Sequence, residues 1–131
     1  MTASDVAERA CNKTVAAAFL RAIAEGDAAT CSALLDPDGS WWVLGWGEMS
    51  AANFLISLGQ TIDRSSSQSM TIIGMTAEAE RVAVEAAGEF HFPEGVYANR
   101  YHYLFKIRNS RIFAGFEYFD TSVAARFFAG V

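Results

Sequence analysis

Long strand-forming segments dominate the second half of the chain, and they constrain the fold more than any other feature of the sequence. Four such segments are rich in β-branched and aromatic residues and are separated only by short turns or loops: residues 70–77, 81–92, 97–108 and 112–120. Segments of roughly twelve residues exceed the ~5–6 residues of an average strand. Because long strands coil strongly under their native twist, the sequence predicts a sheet that is curved into a cup.

Helical spacing characterises the first half of the chain. Apolar side chains recur at Val15, Phe19 and Ile23, as they do along one face of a helix. Helices followed by a run of hairpin-connected strands are typical of an α+β domain, and a chain of 131 residues suits a single domain. The other predicted elements are helices over 4–25, 27–35, 50–60 and 123–128 and a short aromatic strand over 40–44.

Short polar segments mark the ends of these elements. Ser4, Asp27 and Ser50 are residue types that cap helices, and each stands where a predicted helix begins. Asp120 or Thr121 is expected to cap the closing helix. The Asp-Pro-Asp-Gly sequence at 36–39 has the composition of a turn. The serine-rich segment 65–69 is too short for a domain linker and is predicted to be a loop.

The composition is more apolar than a compact monomer of this size needs. Hydrophobic residues make up 52% of the chain and charged residues only 19%. Such a surplus is accommodated in a lined cavity, in a subunit interface, or in both. We therefore expect a pocket for a hydrophobic small molecule, and a homodimer that forms through the outer face of the sheet.

Charge and hydropathy exclude several classes of partner. The net charge is −5 and the sequence pI is about 4.9, without the basic stripe that binding to a phosphate backbone requires. No apolar run approaches the ~18 residues of a membrane span, and Arg21 interrupts the most apolar helical segment. We expect no nucleic-acid partner, no membrane partner and a cytoplasmic location.

Cysteine and histidine do not form a recognisable metal or disulfide pattern. Cys11 and Cys31 lie in predicted helices without a CxxC spacing, and we interpret them as reduced, buried thiols that behave as small hydrophobic residues. His91 and His102 lie on separate predicted strands, and we interpret both as surface residues. A metal site would need further clustered ligands, so no metal is expected.

Three segments occur in the order and spacing of one superfamily. They are FLRAIAEGD at 19–27, SWWVLG at 40–45, and a closing hairpin with Tyr97-x-Asn99-x-Tyr101 and later Glu117-Tyr118-x-Asp120. The chain thereby resembles SnoaL-like polyketide cyclases and ketosteroid isomerases of the nuclear-transport-factor-two-like superfamily over nearly its whole length. The resemblance implies a cone-shaped, curved antiparallel sheet wrapped around the N-terminal helices and enclosing a pocket, a cystatin-like roll.

Two of the superfamily's reactions lack their residues in this sequence. Ketosteroid isomerases use a carboxylate base, a tyrosine and a protonated aspartate. In this sequence the position of the base falls within 41–43 (Trp-Trp-Val), that of the tyrosine is Phe19 and that of the aspartate is Tyr103. Limonene epoxide hydrolases need an Arg-x-Asp, and this chain has Arg81 but Ala83. The comparison argues against both reactions.

The cyclase pattern is retained in part. SnoaL-like cyclases place an aspartate in the last strand, and Glu117 stands there; their histidine position falls on Tyr103, one residue from His102. A carboxylate inside an apolar pocket would have a raised pKa that suits acid–base catalysis. Glu117 could instead lie in water on the outer face, and both placements stay open at this point.

Alternation along the strands and the aromatic residues of the first half supply the remaining candidates. Tyr101 and Tyr103 share one strand face with Asn99. These side chains either bind an oxygen of the ligand or pack within the sheet without a functional role. Glu85 lies opposite the face of its apolar neighbours, either in the pocket or in water. The residues predicted to line a ligand pocket are Phe19, Trp42, Trp46, Phe54, Glu85 and Asn99.

Two functional hypotheses therefore stay open from the sequence. The first is an isomerase, cyclase or lyase that transfers protons with Glu117 as acid–base group and with Tyr103 and Tyr101 as oxygen donors. Such chemistry runs on a desolvated carboxylate and hydrogen-bond donors, so no cofactor is expected. The second is a non-catalytic ligand-binding or dimerisation domain in which the aromatic residues only pack.

Overall fold

The computed structural model describes residues 1–128, which form four helices and one six-stranded sheet. The elements are α1 Ala3–Ala24, α2 Ala28–Leu34, β1 Leu35–Val43, β2 Gly47–Ser50, α3 Ala51–Arg64, β3 Ser67–Glu78, β4 Arg81–Phe92, β5 Gly95–Arg108, β6 Arg111–Phe119 and α4 Thr121–Phe127. The predicted helices and all four long strands are present. Cys31 is buried as predicted, but Cys11 is exposed, because it lies on the solvent-facing side of α1. The α+β class is confirmed.

The helix starts follow local capping chemistry. Asp27, Ser50 and Asp120 cap α2, α3 and α4, each with a side-chain oxygen that accepts a backbone N–H of the first turn. The cap of α1 is Thr2 rather than Ser4, because Thr2 forms a reciprocal capping box with Asp5. The caps at three of the four helices were thus identified from residue type alone.

The six strands form one sheet in the order β2-β1-β6-β5-β4-β3. All neighbouring strands are antiparallel except β1 and β6, which run parallel. The antiparallel sheet that the family resemblance implies therefore contains one parallel pair. Its two strands are joined by a crossover that contains α3 and four strands, and alternation within a strand carries no information on such a distant partner.

β1 is longer than the sequence pattern predicts. It takes in the Asp-Pro-Asp-Gly segment at 36–39, and its register against β6 shifts between Leu35 and Ser40. The turn residues form an irregularity inside the strand, where the Asp38 N–H donates to the Asp36 carboxylate at 2.9 Å. Likewise, β3 begins at Ser67, inside the predicted loop, and β2 was not anticipated.

One face of the sheet carries the core and faces α1 and α3. Buried and exposed residues alternate along β4 and β5, and the inward side chains pack against Phe19 and Leu20 of α1. Register shifts in β3–β4 and β5–β6 are of the kind that bends strands. The sheet does not close, and the result is the cone-shaped α+β fold that the sequence predicted. No helix within residues 1–128 has the length and hydropathy to cross a membrane.

Candidate functional site

A cavity of about 580 Å³ lies between the concave face of the sheet, α3 and α4. Apolar side chains such as Met70, Phe90 and Phe119 form most of its wall. It opens to solvent where the exposed residues Trp46 and Arg64 reach its edge. Its size is within the ~300–1,000 Å³ range of small-molecule sites.

Tyr103 and Glu117 lie directly opposite each other in this wall. They are register partners in the antiparallel pair β5–β6, so their side chains leave the same face of the sheet. Tyr101, two residues before Tyr103, shares that face, and the two tyrosine rings stack with centroids 5.3 Å apart. The structure therefore brings the three predicted catalytic residues into one cavity.

The carboxylate of Glu117 is held on one side by a tryptophan. The indole Nε1 of Trp41 donates a hydrogen bond to Oε1 at 3.0 Å. Burial raises the pKa of Glu117 to about 7, and this hydrogen bond opposes the increase because it favours the charged form. Both protonation states of Glu117 are therefore populated near neutral pH.

The second oxygen of Glu117 and the hydroxyl of Tyr103 have no hydrogen-bond partner among residues 1–128. In the described part of the chain, no fully buried polar side-chain atom lacks a partner, so both atoms border the open space of the cavity. Burial also raises the pKa of Tyr103 far above its ordinary value. Its hydroxyl stays protonated and can donate to a ligand oxygen.

Trp41, and not the predicted Trp42, is the tryptophan that β1 contributes to the cavity wall. Trp41 lies opposite Gly115 in β6 and is fully buried. Trp42 points to the outer face, where its ring centroid is 5.1 Å from that of Tyr118. The correction follows from alternation: neighbouring strand residues must face opposite sides, and only the β1–β6 pairing decides which one faces inward.

Phe54 and Trp46 line the cavity as predicted, but Phe19 does not. Phe19 is fully buried behind the lining, with ring centroids 5.5 Å from Trp41 and 6.4 Å from Phe54. It supports the wall without reaching the open space. Phe19 lies in the last third of α1, on the buried face of the helix, and this position behind the lining explains the correction.

Asn99 is a structural residue and lies outside the cavity wall. Its amide Nδ2 donates to the Tyr97 hydroxyl at 2.8 Å and to the Asp120 carbonyl at 3.0 Å. Its Oδ1 accepts the N–H groups of Asp120 and Arg100. The amide is therefore satisfied by the protein itself and joins β5 to the start of α4, which corrects its prediction as a ligand-binding group.

Glu85 lies on the outer face of the sheet, which corrects its assignment to the pocket. It is exposed and forms an ion pair with Arg100 at 3.1 Å. Its neighbours Val84 and Ala86 point into the core, so alternation forces Glu85 outward. His102, opposite Glu85 on β5, is exposed as well, in agreement with its interpretation as a surface residue.

Sequence reasoning missed several cavity residues, and two examples are informative. Tyr97 is four residues before Tyr101 on β5, so it lies on the same face of the strand and lines the cavity. Alternation alone could have identified it. The other example is the polar edge of α3, formed by Ser57, Gln60, Thr61 and Arg64. Their spacing of three and four residues places them on one side of the helix, next to its apolar face.

The charged side chains of the lining are few. Glu117 lies inside, and Asp63 and Arg64 lie at the exposed end of α3. Within the described residues, no group of three or more His, Cys, Asp or Glu side chains is arranged to hold a metal ion. The chemistry available from these residues is proton transfer by one carboxyl group and hydrogen-bond donation by tyrosine hydroxyls, in an apolar surrounding.

Comparison with known families identifies one match that covers most of the chain. The model of the SnoaL-like domain family matches residues 16–114. This range contains Trp41, Tyr101 and Tyr103 and ends before Glu117. A search of curated proteins found no match.

Several solved structures share the fold at low sequence identity. An LEH-like epoxide hydrolase of M. tuberculosis is 19% identical, with 91% of this chain and 90% of that chain covered and a TM-score of 0.80. PrhC of Penicillium brasilianum is 16% identical over 91% and 86%, with a TM-score of 0.83. IdmH of Streptomyces antibioticus, described as a candidate polyketide cyclase, is 14% identical over 86% and 94%, with a TM-score of 0.75.

Proposed function

The chain belongs to the SnoaL-like domain family, and from that premise we propose that it is a cofactor-independent enzyme that transfers protons on a hydrophobic, carbonyl-bearing small molecule. Glu117 is the acid–base group, and Tyr103 and Tyr101 bind the oxygen of the substrate. The family does not select the reaction, because one fold hosts many chemistries. The selection comes from the residues of the cavity.

One observation carries the proposal. Two polar atoms without a protein partner, Oε2 of Glu117 and the hydroxyl of Tyr103, face the same apolar cavity from opposite positions of two paired strands. Polar groups in such a place are costly unless they are satisfied. A ligand with a carbonyl oxygen and an acidic C–H beside it would satisfy both.

The step that follows from this geometry is an enolisation. The deprotonated Oε2 of Glu117 takes a proton from the carbon next to the carbonyl, the electron pair of that C–H bond forms a C=C bond, and the π pair of the C=O bond moves to the oxygen. The hydroxyl of Tyr103 stabilises the developing negative charge by a hydrogen bond. Glu117 then returns its proton to another carbon or to the oxygen, so that no net proton is consumed.

A pKa of about 7 suits Glu117 to both halves of this cycle. A general acid–base group works best when its pKa is near the working pH. Among the related structures, the names of the epoxide hydrolase and of the candidate cyclase are consistent with small-molecule chemistry on this fold. Arg81 supports no epoxide route here, because it is exposed at the start of β4 and Ala83 stands where a carboxylate is needed.

The second candidate function is ligand binding without catalysis. It is favoured by the mutual packing of the aromatic residues, such as the stack of Trp41 on Phe54 with centroids 3.9 Å apart, and by the apolar character of most of the wall. A homodimer and a cytoplasmic location fit either function and remain predictions from the sequence.

Binding and turnover distinguish the two functions. The parent protein and Glu117→Gln are titrated with an apolar fluorescent probe and assayed with a panel of enolisable ketones, lactones and epoxides over a range of pH. We expect the parent to bind the probe and to turn over a ketone or lactone, and Glu117→Gln to bind but not to react. Glu85→Gln, which alters an exposed carboxylate, is the matched control and should behave as the parent.

Two outcomes would contradict the enzyme. If the parent binds the probe and turns over no compound of the panel at any pH, the binding function is favoured instead. If the parent does not bind the probe at all, the cavity has no ligand of this class and both candidate functions are wrong.

A further inference from the structure

We propose that Trp41 is the positioning residue of Glu117: its indole N–H holds Oε1 and thereby presents Oε2 to the ligand as the reacting oxygen. The inference rests on the proposed function, because Glu117 is the acid–base group of that function. The hydrogen bond itself belongs to the ligand-free protein, so it can be tested without a substrate.

The indole ring of Trp41 has its orientation set by packing on both sides. Trp41 has no exposed surface, and its ring stacks on Phe54 with centroids 3.9 Å apart and planes inclined by 15°. On the sheet side the ring lies against Gly115, where an added Cβ would come within 2.2 Å of it. A ring enclosed in this way cannot rotate, and the direction of its N–H is therefore set.

The strand pairing places both ends of the hydrogen bond. In the parallel pair β1–β6, Trp41 lies opposite Gly115 and Val43 lies opposite Glu117. The Leu44 N–H also donates to the Glu117 carbonyl at 3.0 Å. The backbone of Glu117 is thus joined to β1 next to Trp41, and the indole reaches its carboxylate on the same face of the sheet.

Few other groups compete for the carboxylate. The other titratable or charged side chains of the cavity wall are Tyr97, Tyr101 and Tyr103 on β5 and Asp63 and Arg64 on α3. Among the described residues, α1, β1 to β4 and α4 contribute no such side chain to the wall. Trp41 is the one side chain among residues 1–128 that donates a hydrogen bond to Glu117. Without it, both carboxylate oxygens would be free to rotate, and only burial would act on the proton affinity.

The expected consequence is measurable in the protonation of Glu117. A hydrogen bond from a neutral donor to a carboxylate favours the charged form, so its removal should make Glu117 harder to ionise. The contribution of hydrogen bonds to charged groups corresponds to a shift of about one pH unit or more. The midpoint of Glu117 should therefore move upward.

The primary test compares Trp41→Phe with the parent by carbon NMR of the Glu117 carboxyl group over a pH titration, without ligand. We expect the midpoint to rise by about one pH unit in Trp41→Phe. Trp42→Phe is the matched control, because it makes the same change one residue away on the outer face, and it should titrate as the parent. A Trp41→Phe midpoint at the parental pH, or an equal shift in Trp42→Phe, would overturn the inference.

A second measurement leaves the core intact in case Trp41→Phe does not fold. In the Trp42→Phe/Trp46→Phe variant, Trp41 is the sole tryptophan, and its fluorescence should change with the same midpoint as the Glu117 carboxyl signal. Adding Glu117→Gln should abolish the change. Fluorescence that is indifferent to pH, or that still titrates in Glu117→Gln, would overturn the inference.

Failure of the inference and failure of the proposed function are distinguishable. If the titration midpoint of Glu117 rises in Trp41→Phe but no compound is turned over, the positioning role is supported and the proposed enzymatic function is wrong. If compounds are turned over and the titration midpoint of Glu117 is the same in Trp41→Phe and the parent, the enzymatic function is supported and the positioning role is wrong.

Discussion

The indole nitrogen of Trp41 and the carboxylate of Glu117 are joined by a hydrogen bond of 3.0 Å, although the two residues are 76 positions apart in the sequence. This contact lies between the only two parallel strands of the described sheet. It connects a buried aromatic residue of the first half of the chain to the acidic residue of the cavity.

The stability of the protein should decrease as the pH rises from about 4.5 to about 7. The pKa of Glu117 is raised from 4.5 to about 7 in the folded state, so between these values the folded state keeps a proton that the unfolded state has lost. The loss is on the order of 2–3 kcal/mol. Urea unfolding at several pH values measures it.

Glu117→Gln should remove that decrease, because glutamine does not titrate and still offers an oxygen to the Trp41 N–H. Glu85→Gln, on the exposed face, should retain the decrease. If the difference in unfolding free energy between the parent and Glu117→Gln stays constant across this pH range, the pKa of Glu117 is not raised in the folded state.

Gly115→Ala should destabilise the protein. The added Cβ would come within 2.2 Å of the Trp41 ring, and overpacking of a core costs about 1–3 kcal/mol. The displaced ring should also lose its hydrogen bond to Glu117. Thermal and urea unfolding measure the first effect, and the titration of Glu117 measures the second.

Gly59→Ala is the matched control for that substitution. Gly59 lies within α3, where an added Cβ meets no atom within 4 Å, and alanine in a helix is favoured over glycine by ~0.5–1 kcal/mol. This variant should be as stable as the parent or more so. Equal stability of Gly115→Ala and Gly59→Ala would mean that the Trp41 ring is not confined as described.

Tyr103→Phe should weaken ligand binding without a large effect on stability. The Tyr103 hydroxyl makes no hydrogen bond to the described residues, while its ring packs against Phe105 with centroids 5.4 Å apart, and phenylalanine preserves that packing. Loss of one hydrogen bond to a ligand should reduce the affinity by up to about tenfold. Probe or substrate titration measures the affinity.

Tyr118→Phe serves as the control, because Tyr118 is exposed on the outer face. It should leave the affinity unchanged. If Tyr103→Phe binds carbonyl compounds as tightly as the parent, the hydroxyl is not the oxygen-binding group.

The outer face of the sheet should mediate the predicted homodimer. It carries an aromatic cluster of Trp42, Phe116 and Tyr118, with ring centroids 5.1 to 6.3 Å apart for the contacts of Trp42. We expect the parent to sediment as a dimer at micromolar concentration and Tyr118→Glu to sediment as a monomer, because a buried charge opposes association.

Ile56→Glu changes an exposed apolar residue on α3, away from this face, and should remain a dimer. A parent protein that sediments as a monomer would contradict the prediction. A dimer that Tyr118→Glu leaves intact would place the interface elsewhere.

Much of the architecture could be predicted from local sequence pattern. The long alternating strands, the helix caps at Asp27, Ser50 and Asp120, and the shared face of Tyr101 and Tyr103 all depend on neighbours within a few residues. Alternation and capping act over that distance, so a sequence without any structure already contains them. The lengths of the strands likewise predicted a curved sheet.

The tertiary structure alone decided which face is the inside. Alternation divides a strand into two faces without saying which of them meets the core, and Glu85 and Trp42 were therefore assigned to the wrong one. That choice depends on the pairing of β1 with β6 and on the packing of the helices, which are contacts between residues far apart in sequence. The hydrogen bond from Trp41 to Glu117 exists only because of that distant pairing. The raised pKa of Glu117 has a different cause, the burial of its carboxylate, which also depends on packing between residues far apart in sequence.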